Sequence, residues 1–218
     1  EINRIKFDIS QKSVDGTIKN TVRLNDNNLV EAVLIPTLNR KTACVSSQVG
    51  CSLNCEFCAT SKIKNIRNLK KEEIFDQVFL MNKQSLNYYN KPLTNIVFMG
   101  MGEPLLNYDN VLKSINLMTE DYTFGLSKRR ITVSTSGIIP GIDRLKKDNK
   151  VSLAISLHAS NDELRNTIVP INRSYPLVDL LSACKRYTEG KNDDPITIEY
   201  VMLRDINDSL KDAHNLAK

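Results

Sequence analysis

Three cysteines stand within eight residues of the chain, at Cys51, Cys55 and Cys58, and this spacing predicts chemistry more directly than any other feature. Three thiolates on one tight loop can hold three irons of a four-iron cluster and leave the fourth iron without a protein ligand. An iron with an open position can bind a second molecule and reduce it. Compact cysteine runs are typical of iron–sulfur ligation, although the runs of bacterial ferredoxins have a different spacing. The spacing therefore favours an iron–sulfur cluster.

A closed zinc site is the alternative for the same loop. Structural zinc takes four ligands and usually draws them from two separated pairs. Cys44 lies seven residues before Cys51 and could complete a tetrathiolate site with the three loop cysteines. Such a site would belong to a zinc-stabilised RNA-binding module, so both interpretations stay open at this point.

Composition indicates an ordinary globular chain. It has 218 residues, of which 41% are hydrophobic and 25% charged, enough for one domain-sized core. No apolar stretch approaches a membrane span, and the N-terminus has no apolar signal-peptide core. Five cysteines, three of them crowded together, suit a metal site in a reducing compartment better than a disulfide framework. We therefore expect a cytoplasmic protein that is monomeric and does not bind membranes.

Positive charge is concentrated next to the cysteine loop. The formal net charge is +5, and residues 61–71 carry five positive side chains and no acid. Residues 128–130 form a second basic cluster, Lys-Arg-Arg. Such runs are often only solvated faces, but their position near a candidate site also allows contacts to RNA phosphates.

The elements that position the loop alternate between strand and helix after residue 41. The apolar patterns predict strands at 42–49, 95–99, 131–134, 151–157 and 197–203, and helices at 70–88, 109–118, 138–147, 161–169 and 177–188. Residues 1–40 instead have the alternating pattern of an antiparallel β extension. The predicted fold class is α/β, a parallel sheet or partial (β/α) barrel over 41–218 preceded by that extension.

Small and polar residues recur at the predicted carboxyl ends of the strands, where function collects in parallel α/β folds. They are the segments 100–104 (Gly-Met-Gly-Glu-Pro), 134–137 (Ser-Thr-Ser-Gly) and 156–158 (Ser-Leu-His). Each segment alone has a structural explanation: a glycine turn, a helix cap or a satisfied histidine. Together with the cysteine loop they predict a site on one rim.

These motifs, with 44–51 (Cys-Val-Ser-Ser-Gln-Val-Gly-Cys), give the chain a pattern that resembles the radical-SAM RNA methyltransferases. The resemblance implies a partial radical-SAM barrel, a [4Fe-4S] cluster on Cys51, Cys55 and Cys58, and S-adenosylmethionine bound to the open iron. It further implies that the cofactor is contacted by six residues, Gly102, Glu103, Ser134, Ser156, Leu157 and His158.

The resemblance also implies a reaction. Enzymes of this family place a methyl group on carbon 2 of an adenine in 23S rRNA and in tRNA, through a methyl-carrying cysteine and a protein–RNA crosslink. Cys44 matches the second cysteine, which resolves the crosslink, and Glu31 matches the proton acceptor. Without the resemblance, base rates favour a buried packing thiol and a solvated strand carboxylate at these two positions. The electron would come from a donor such as a flavodoxin system.

Related enzymes methylate carbon 8 of the same type of base, and this is the alternative within the family. Pro104 and Ser136 favour carbon 2, because the carbon 8 enzymes typically have Ala at the first position and lack the Ser-Thr-Ser-Gly form. No cysteine follows Cys184, the sequence does not start with Met, and residues 209–218 end in a helical pattern. We therefore expect a piece of a longer protein, truncated at its C-terminal end and without an N-terminal RNA-binding domain or the methyl-carrying cysteine. Such a piece would be inactive.

Overall fold

The structure, a computed structural model, describes residues 5–64, 67–148, 150–190 and 195–217. Residues 1–4 of the predicted extension, residues 65 and 66 of the basic run, and residue 218 of the terminal helical run lie outside the described residues. No helix of the described part is both long and apolar enough to cross a membrane.

One eight-stranded sheet organises the molecule, and a two-stranded ribbon lies beside it. The strands are β1 (Lys6–Lys12), β2 (Ile18–Arg23), β3 (Leu29–Pro36), β4 (Lys41–Cys44), β5 (Gln48–Val49), β6 (Arg67–Asn68), β7 (Asn95–Phe98), β8 (Ile131–Thr135), β9 (Ser152–Ser156) and β10 (Thr197–Glu199). The helices are α1 (Lys71–Tyr89), α2 (Tyr108–Thr119), α3 (Ile139–Asp148), α4 (Asp162–Ile168), α5 (Leu177–Thr188) and α6 (Leu210–Leu216).

The strand order is β1-β2-β3-β4-β7-β8-β9-β10, and β5 pairs with β6 in the ribbon. Strands β1 to β4 are antiparallel, whereas β4, β7, β8, β9 and β10 are parallel and joined by helical crossovers. This confirms the predicted α/β class with a parallel (β/α) unit. The antiparallel strands of the predicted extension continue the same sheet, and β1 forms its edge.

Two predicted strands end early because other groups take their backbone hydrogen bonds. The segment 42–49 leaves the sheet after Cys44, where the N–H groups of Ser47 and Gln48 both donate to the carbonyl of Met101. The segment 197–203 leaves it after Glu199, where the N–H of Val201 donates to a histidine side chain. Both departures occur at the carboxyl edge of the sheet.

The register decides which side chains share a face, because paired residues on neighbouring strands project to the same side. Cys44 pairs with Val97, Ser134 with Ala154, and Ser156 with Glu199. Following these pairs across the sheet places Cys44, Ser134, Ser156 and Glu199 on one face. The opposite face carries buried aliphatic side chains of the main core, among them Ala43, Ile96, Val133, Leu153 and Ile155.

Helix α1 shows how the helices attach to the sheet. Its apolar stripe of Ile74, Val78 and Met81 is fully buried, as the 3.6-residue period predicts. Gln77 lies on the same buried side and pairs with the backbone of Ser46 like a second peptide group: its Oε1 accepts from the Ser46 N–H at 2.9 Å, and its Nε2 donates to the Ser46 carbonyl at 3.1 Å. This pairing satisfies the chain where it leaves β4.

Gln77→Leu is expected to destabilise the protein by about 2–4 kcal/mol, because it leaves a buried backbone N–H and C=O without partners. Urea unfolding measures the loss. Asn87→Leu is the matched control, since Asn87 lies exposed on the same helix and its substitution should change stability by less than about 0.5 kcal/mol. Equal effects of the two substitutions would contradict the role given to the Gln77 pairing.

Candidate active site

A cavity of about 440 Å³ opens at the carboxyl ends of the parallel strands. It is lined by the cysteine loop, the loops after β7 and β8, the end of β9 and the residues that follow β10. The lining residues are Cys51, Leu53, Cys55, Phe57, Cys58, Thr60, Phe98, Met99, Gly100, Gly102, Glu103, Pro104, Ser134, Thr135, Ser136, Ser156, His158, Glu199, Tyr200 and Val201. The structure therefore brings together on one cavity every predicted rim segment.

The cysteine loop contributes all three of its cysteines to the cavity lining. Asn54 adopts a left-handed conformation with φ of 54° between the first two cysteines. The N–H of Cys58 donates to the Cys55 carbonyl at 3.1 Å, and the Ser61 hydroxyl donates to the carbonyls of both residues. These bonds fix the second and third cysteines in one turn.

The thiols lie close enough to influence one another. Burial raises the pKa of Cys55 to about 11, and the charges of Cys51 and Cys58 act in the same direction. Among the described residues, no three His, Cys, Asp or Glu side chains are grouped so that they could hold one metal ion. A four-iron cluster does not require such convergence, because each cysteine binds a different iron. The three cysteines line one cavity from a single loop, and thiolates are the ligands that such a cluster takes.

Cys44 lies apart from the loop cysteines. It is buried at the end of β4, with 8% of its surface exposed, and is not among the lining residues. Burial raises its pKa to about 11, and the negative charge of Glu199 adds to this. Its thiol is therefore protonated at neutral pH.

Glu31 lies on β3, on the same sheet face as Cys44, because Val33 pairs with Cys44 and Glu31 follows the same alternation. Its carboxylate forms a 2.6 Å ion pair with Lys19, and both side chains are about half exposed. Glu31 and Lys19 are both absent from the cavity lining. The register brings Glu31 and Cys44 to one face, but it leaves Glu31 in a surface ion pair.

The loop after β7 is packed against the chain that leaves β4. Gly102 has φ of 97°, and a Cβ atom there would lie 2.5 Å from the Cβ of Gln48. A Cβ at Gly100 would lie 2.7 Å from the Val45 carbonyl oxygen. Close packing alone accounts for both glycines, and both also line the cavity.

Glu103 is buried and anchored through both of its carboxylate oxygens. Oε1 accepts from the Leu105 N–H at 3.0 Å, and Oε2 accepts from the Ser136 N–H at 2.9 Å. Burial raises the pKa of Glu103, whereas these two N–H groups act in the opposite direction. The carboxylate is thus held at the cavity wall and joins the loops after β7 and β8.

Glu199 is a lining residue that the sequence analysis missed. Its Oε2 accepts hydrogen bonds from the hydroxyls of Ser134 at 2.6 Å and Ser156 at 2.8 Å. The available signal was an acid on the inward-facing alternation of a short apolar strand. Glu199 therefore gathers two of the predicted cofactor-binding serines at one point of the cavity.

Leu157 and His158 follow β9. The Leu157 N–H donates to the Glu199 carbonyl, and Leu157 does not line the cavity. His158 has φ of 60° and is 7% exposed, and its Nδ1 accepts from the Val201 N–H at 3.1 Å. Burial, with the charge of Arg165, lowers the pKa of His158 to about 4. The ring is neutral at pH 7 and carries its proton on Nε2, because Nδ1 acts as an acceptor.

Arg165 is the second residue that the sequence analysis missed. It lies on α4 with no exposed surface, and its guanidinium donates to four neutral acceptors. These are the carbonyls of Leu157 at 2.9 Å, Ser136 at 2.8 Å and Ser156 at 3.0 Å, and Oδ1 of Asn172 at 2.8 Å. Burial lowers the pKa of Arg165 to about 10, which leaves it charged at neutral pH. An arginine at an apolar position of a short helix was the signal available.

The two basic clusters have different surroundings from those expected. Arg67 is held by a bidentate ion pair with Glu73 and a further contact with Asp26 at 2.6 Å, so its donors are already engaged. The cluster Lys128–Arg130 precedes β8 and therefore lies at the amino end of the parallel strands, opposite the cavity. Its expected position beside the site is wrong. Lys62 and Lys64 remain exposed after the cysteine loop.

Comparisons with known proteins agree with this site. A family model described as the radical SAM superfamily matches residues 45–217. The chain is 51% identical, over its whole length, to a protein of Christiangramia forsetii named probable dual-specificity RNA methyltransferase RlmN. It is 50% identical over 209 residues to the dual-specificity RNA methyltransferase RlmN of Marinobacter nauticus. It covers 62% and 57% of the lengths of these relatives.

A solved structure has the same fold. The crystal structure of a radical SAM methyltransferase from Sphaerobacter thermophilus superposes with a TM-score of 0.94 at 42% identity, covering 99% of this chain and 63% of the other. Proteins of this superfamily use a [4Fe-4S] cluster and S-adenosylmethionine. The cavity, the cysteine loop and the family match agree, and the chain belongs to the radical SAM superfamily.

Proposed function

We propose that this chain is the cofactor-binding core of an RNA methyltransferase that methylates carbon 2 of an adenine in 23S rRNA and in tRNA. The observation that carries the proposal is the cavity on which the three loop cysteines meet the rim of the parallel sheet. Support for the RNA substrate comes from the relatives, which are named dual-specificity RNA methyltransferases and are about half identical to this chain.

The cofactor would be held by residues already placed on the cavity wall. Cys51, Cys55 and Cys58 would hold three irons, and the bound cofactor supplies an electron and radical chemistry that amino-acid side chains do not provide. The anchored carboxylate of Glu103 would face the amino group on the methionine part of S-adenosylmethionine. The Nε2–H of His158 offers a neutral donor whose direction is fixed by the bond at Nδ1. Leu157 would contribute only through its backbone.

Cys44 and Glu31 would act on the RNA. Cys44 would resolve the crosslink by forming a disulfide with the methyl-carrying cysteine, while the sulfur–carbon bond to the base breaks and its electron pair stays with the base. This requires removal of the Cys44 proton, because the buried thiol is neutral at pH 7. Glu31 would accept the ring proton, and for this it must leave its ion pair with Lys19. Their common sheet face supports a shared role, and an RNA base on that face would reach both.

The preference for carbon 2 over carbon 8 is also a proposal. It is supported by Pro104 and Ser136, which both adjoin Glu103: the first begins the turn that Glu103 caps, and the second donates its N–H to the carboxylate. We further propose a low-potential flavodoxin-like electron donor, a monomeric state and a cytoplasmic location. The 218 residues alone would not methylate RNA, because they contain no cysteine after Cys184 that could carry the methyl group.

Anaerobic reconstitution with iron and sulfide should load about four irons per chain and give a brown protein. Alanine at Cys51, Cys55 or Cys58 should abolish loading, because each substitution removes the ligand of one iron. Iron and sulfide assays with visible absorption measure the result.

Cys44→Ala and Cys184→Ala are the controls and should load normally. A colourless wild-type protein that binds one zinc, and loses it in Cys44→Ala, would contradict the cluster and support the zinc-stabilised module.

Mass analysis of RNA from cells with and without the full-length gene should locate the methyl group on carbon 2 of an adenine in both 23S rRNA and tRNA. The reason is that Pro104 and Ser136, which adjoin Glu103, match the enzymes that methylate carbon 2. A methyl group on carbon 8 would support the alternative within the family, and unchanged RNA would contradict the proposed substrate.

The exposed Lys62 and Lys64, which follow the cysteine loop, are proposed to contact RNA phosphates, and RNA binding by the full-length protein tests this. Lys62→Ala with Lys64→Ala should weaken RNA binding and reduce the slope of log K against log salt by about two. Lys128→Ala with Arg129→Ala is the matched control at the opposite end of the strands. It should leave both the RNA affinity and the salt slope unchanged.

His158 should make stability fall with acid. Its pKa is lowered in the folded state from 6.5 to about 4, so between these values the unfolded chain binds more protons, and stability present above pH 6.5 is lost as the pH falls towards 4. The slope reaches at most about 1.4 kcal/mol per pH unit.

His158→Asn keeps an acceptor for the Val201 N–H and tolerates the left-handed backbone, but it does not titrate. Thermal unfolding from pH 7 to 4 should therefore give a flatter profile for this variant. Parallel profiles for the two proteins would contradict a neutral buried ring.

A further inference from the structure

Arg165 is a buried positive charge that the proposed function does not use. Its side chain has no exposed surface, and among the described residues no carboxylate forms an ion pair with it. The four hydrogen-bond acceptors of the guanidinium are three backbone carbonyls and one side-chain amide. A buried cation is ordinarily paired with a charge of opposite sign, because desolvation is otherwise unfavourable.

The carboxylate of Asp162 is joined to Arg165 through the side-chain amide of Asn172, whereas Glu103 and Glu199 bond to Ser136 and Ser156, whose carbonyls accept from Arg165. Oδ1 of Asp162 accepts from Nδ2 of Asn172 at 2.7 Å, and Asn172 in turn accepts from Arg165. The neutral amide therefore separates the guanidinium from the carboxylate. Asp162 offsets part of the charge without touching it.

The cysteine loop packs directly against the helix that carries Arg165. The N–H of Glu56, within the loop, donates at 3.1 Å to the carbonyl of Ile168, the last residue of α4. Cys55 and Phe57 pack on the small apolar cluster that contains Ile168. The buried Arg165 thus belongs to the helix on which the cysteine loop packs.

From this placement we infer that Arg165 is a positioning residue for charge: it sets the reduction potential of the cluster held by the loop cysteines. On reduction the cluster gains one electron from an external low-potential donor, such as a reduced flavin or viologen, and its negative charge increases by one. A fixed cation nearby stabilises the more negative state, and net charge around an iron–sulfur cluster is one of the factors that set its potential. The guanidinium is fully buried, so water screens its charge little, and arginine keeps its charge in such surroundings.

A structural role is the competing explanation. The guanidinium joins the loop after β8 to the end of β9 through the carbonyls of Ser136, Ser156 and Leu157, and its loss would loosen this rim. A structural role predicts that variants of Arg165 are less stable and load less iron and sulfide. It does not predict a shift of the reduction potential whose sign follows the charge that a substitution removes. The potential therefore separates the two explanations.

The test is an equilibrium redox titration of the reconstituted holoprotein with viologen mediators, followed by electron paramagnetic resonance of the reduced cluster. Arg165→Gln removes the charge and keeps hydrogen-bonding groups. It should lower the equilibrium constant for reduction about tenfold, or about 59 mV for a one-electron couple. Asp162→Asn keeps the Oδ1 acceptor and removes the compensating charge, so it should shift the potential upwards.

Two further variants complete the test. Arg165→Lys keeps the charge, and its equilibrium constant for reduction of the cluster should stay within about threefold of the wild-type value. Arg173→Gln removes an exposed charge close to Asn172 and should change the constant less than twofold, because water screens it.

The inference rests on the cluster assignment of the proposed function, and the outcomes separate the two. A wild-type protein without iron and sulfide overturns the assignment itself. Loaded variants with wild-type potentials, or shifts of the same sign in Arg165→Gln and Asp162→Asn, overturn only the role of Arg165. Where Arg165→Gln fails to fold, Asp162→Asn decides, since it retains the arginine.

Discussion

Buried backbone groups at the carboxyl edge of the parallel sheet must all find hydrogen-bond partners, and this requirement organises the site. Strands end there, so the ladder no longer supplies partners. Side chains from other elements take over: Gln77 pairs with Ser46, Glu103 accepts from two N–H groups, and Arg165 donates to three carbonyls. Of these three side chains, Glu103 also lines the cavity, so the same carboxylate serves the fold and the candidate site.

Local pattern was enough to predict most of the fold and the centre of the site. The helices and parallel strands follow from apolar periodicity, and the cysteine loop follows from spacing. The rest depends on partners that are distant in sequence. Arg67 looks like a free cation until Asp26 and Glu73 are brought beside it, and the position of Lys128–Arg130 is decided by which end of β8 they precede.

Glu199 and Arg165 could not be identified from the sequence for the same reason. A single acid on a three-residue strand has no local signature, and its importance comes from two serines on neighbouring strands. A single arginine in a helix normally means an exposed face. Its burial is apparent only when the loops after β8 and β9 are placed over α4. Sheet register likewise brings Cys44 and Glu31 to one face, although thirteen positions separate them.

The first strand has a consequence for how copies of this protein meet one another. β1 is the edge strand of the sheet within residues 5–64, 67–148, 150–190 and 195–217, and six of its seven residues are exposed, with lysine at both ends. An edge of this kind offers open backbone groups but surrounds them with hydrated charge, which discourages a second molecule from adding its own strand. The exposed charges of β1 therefore work against fibrous assembly through this border of the sheet.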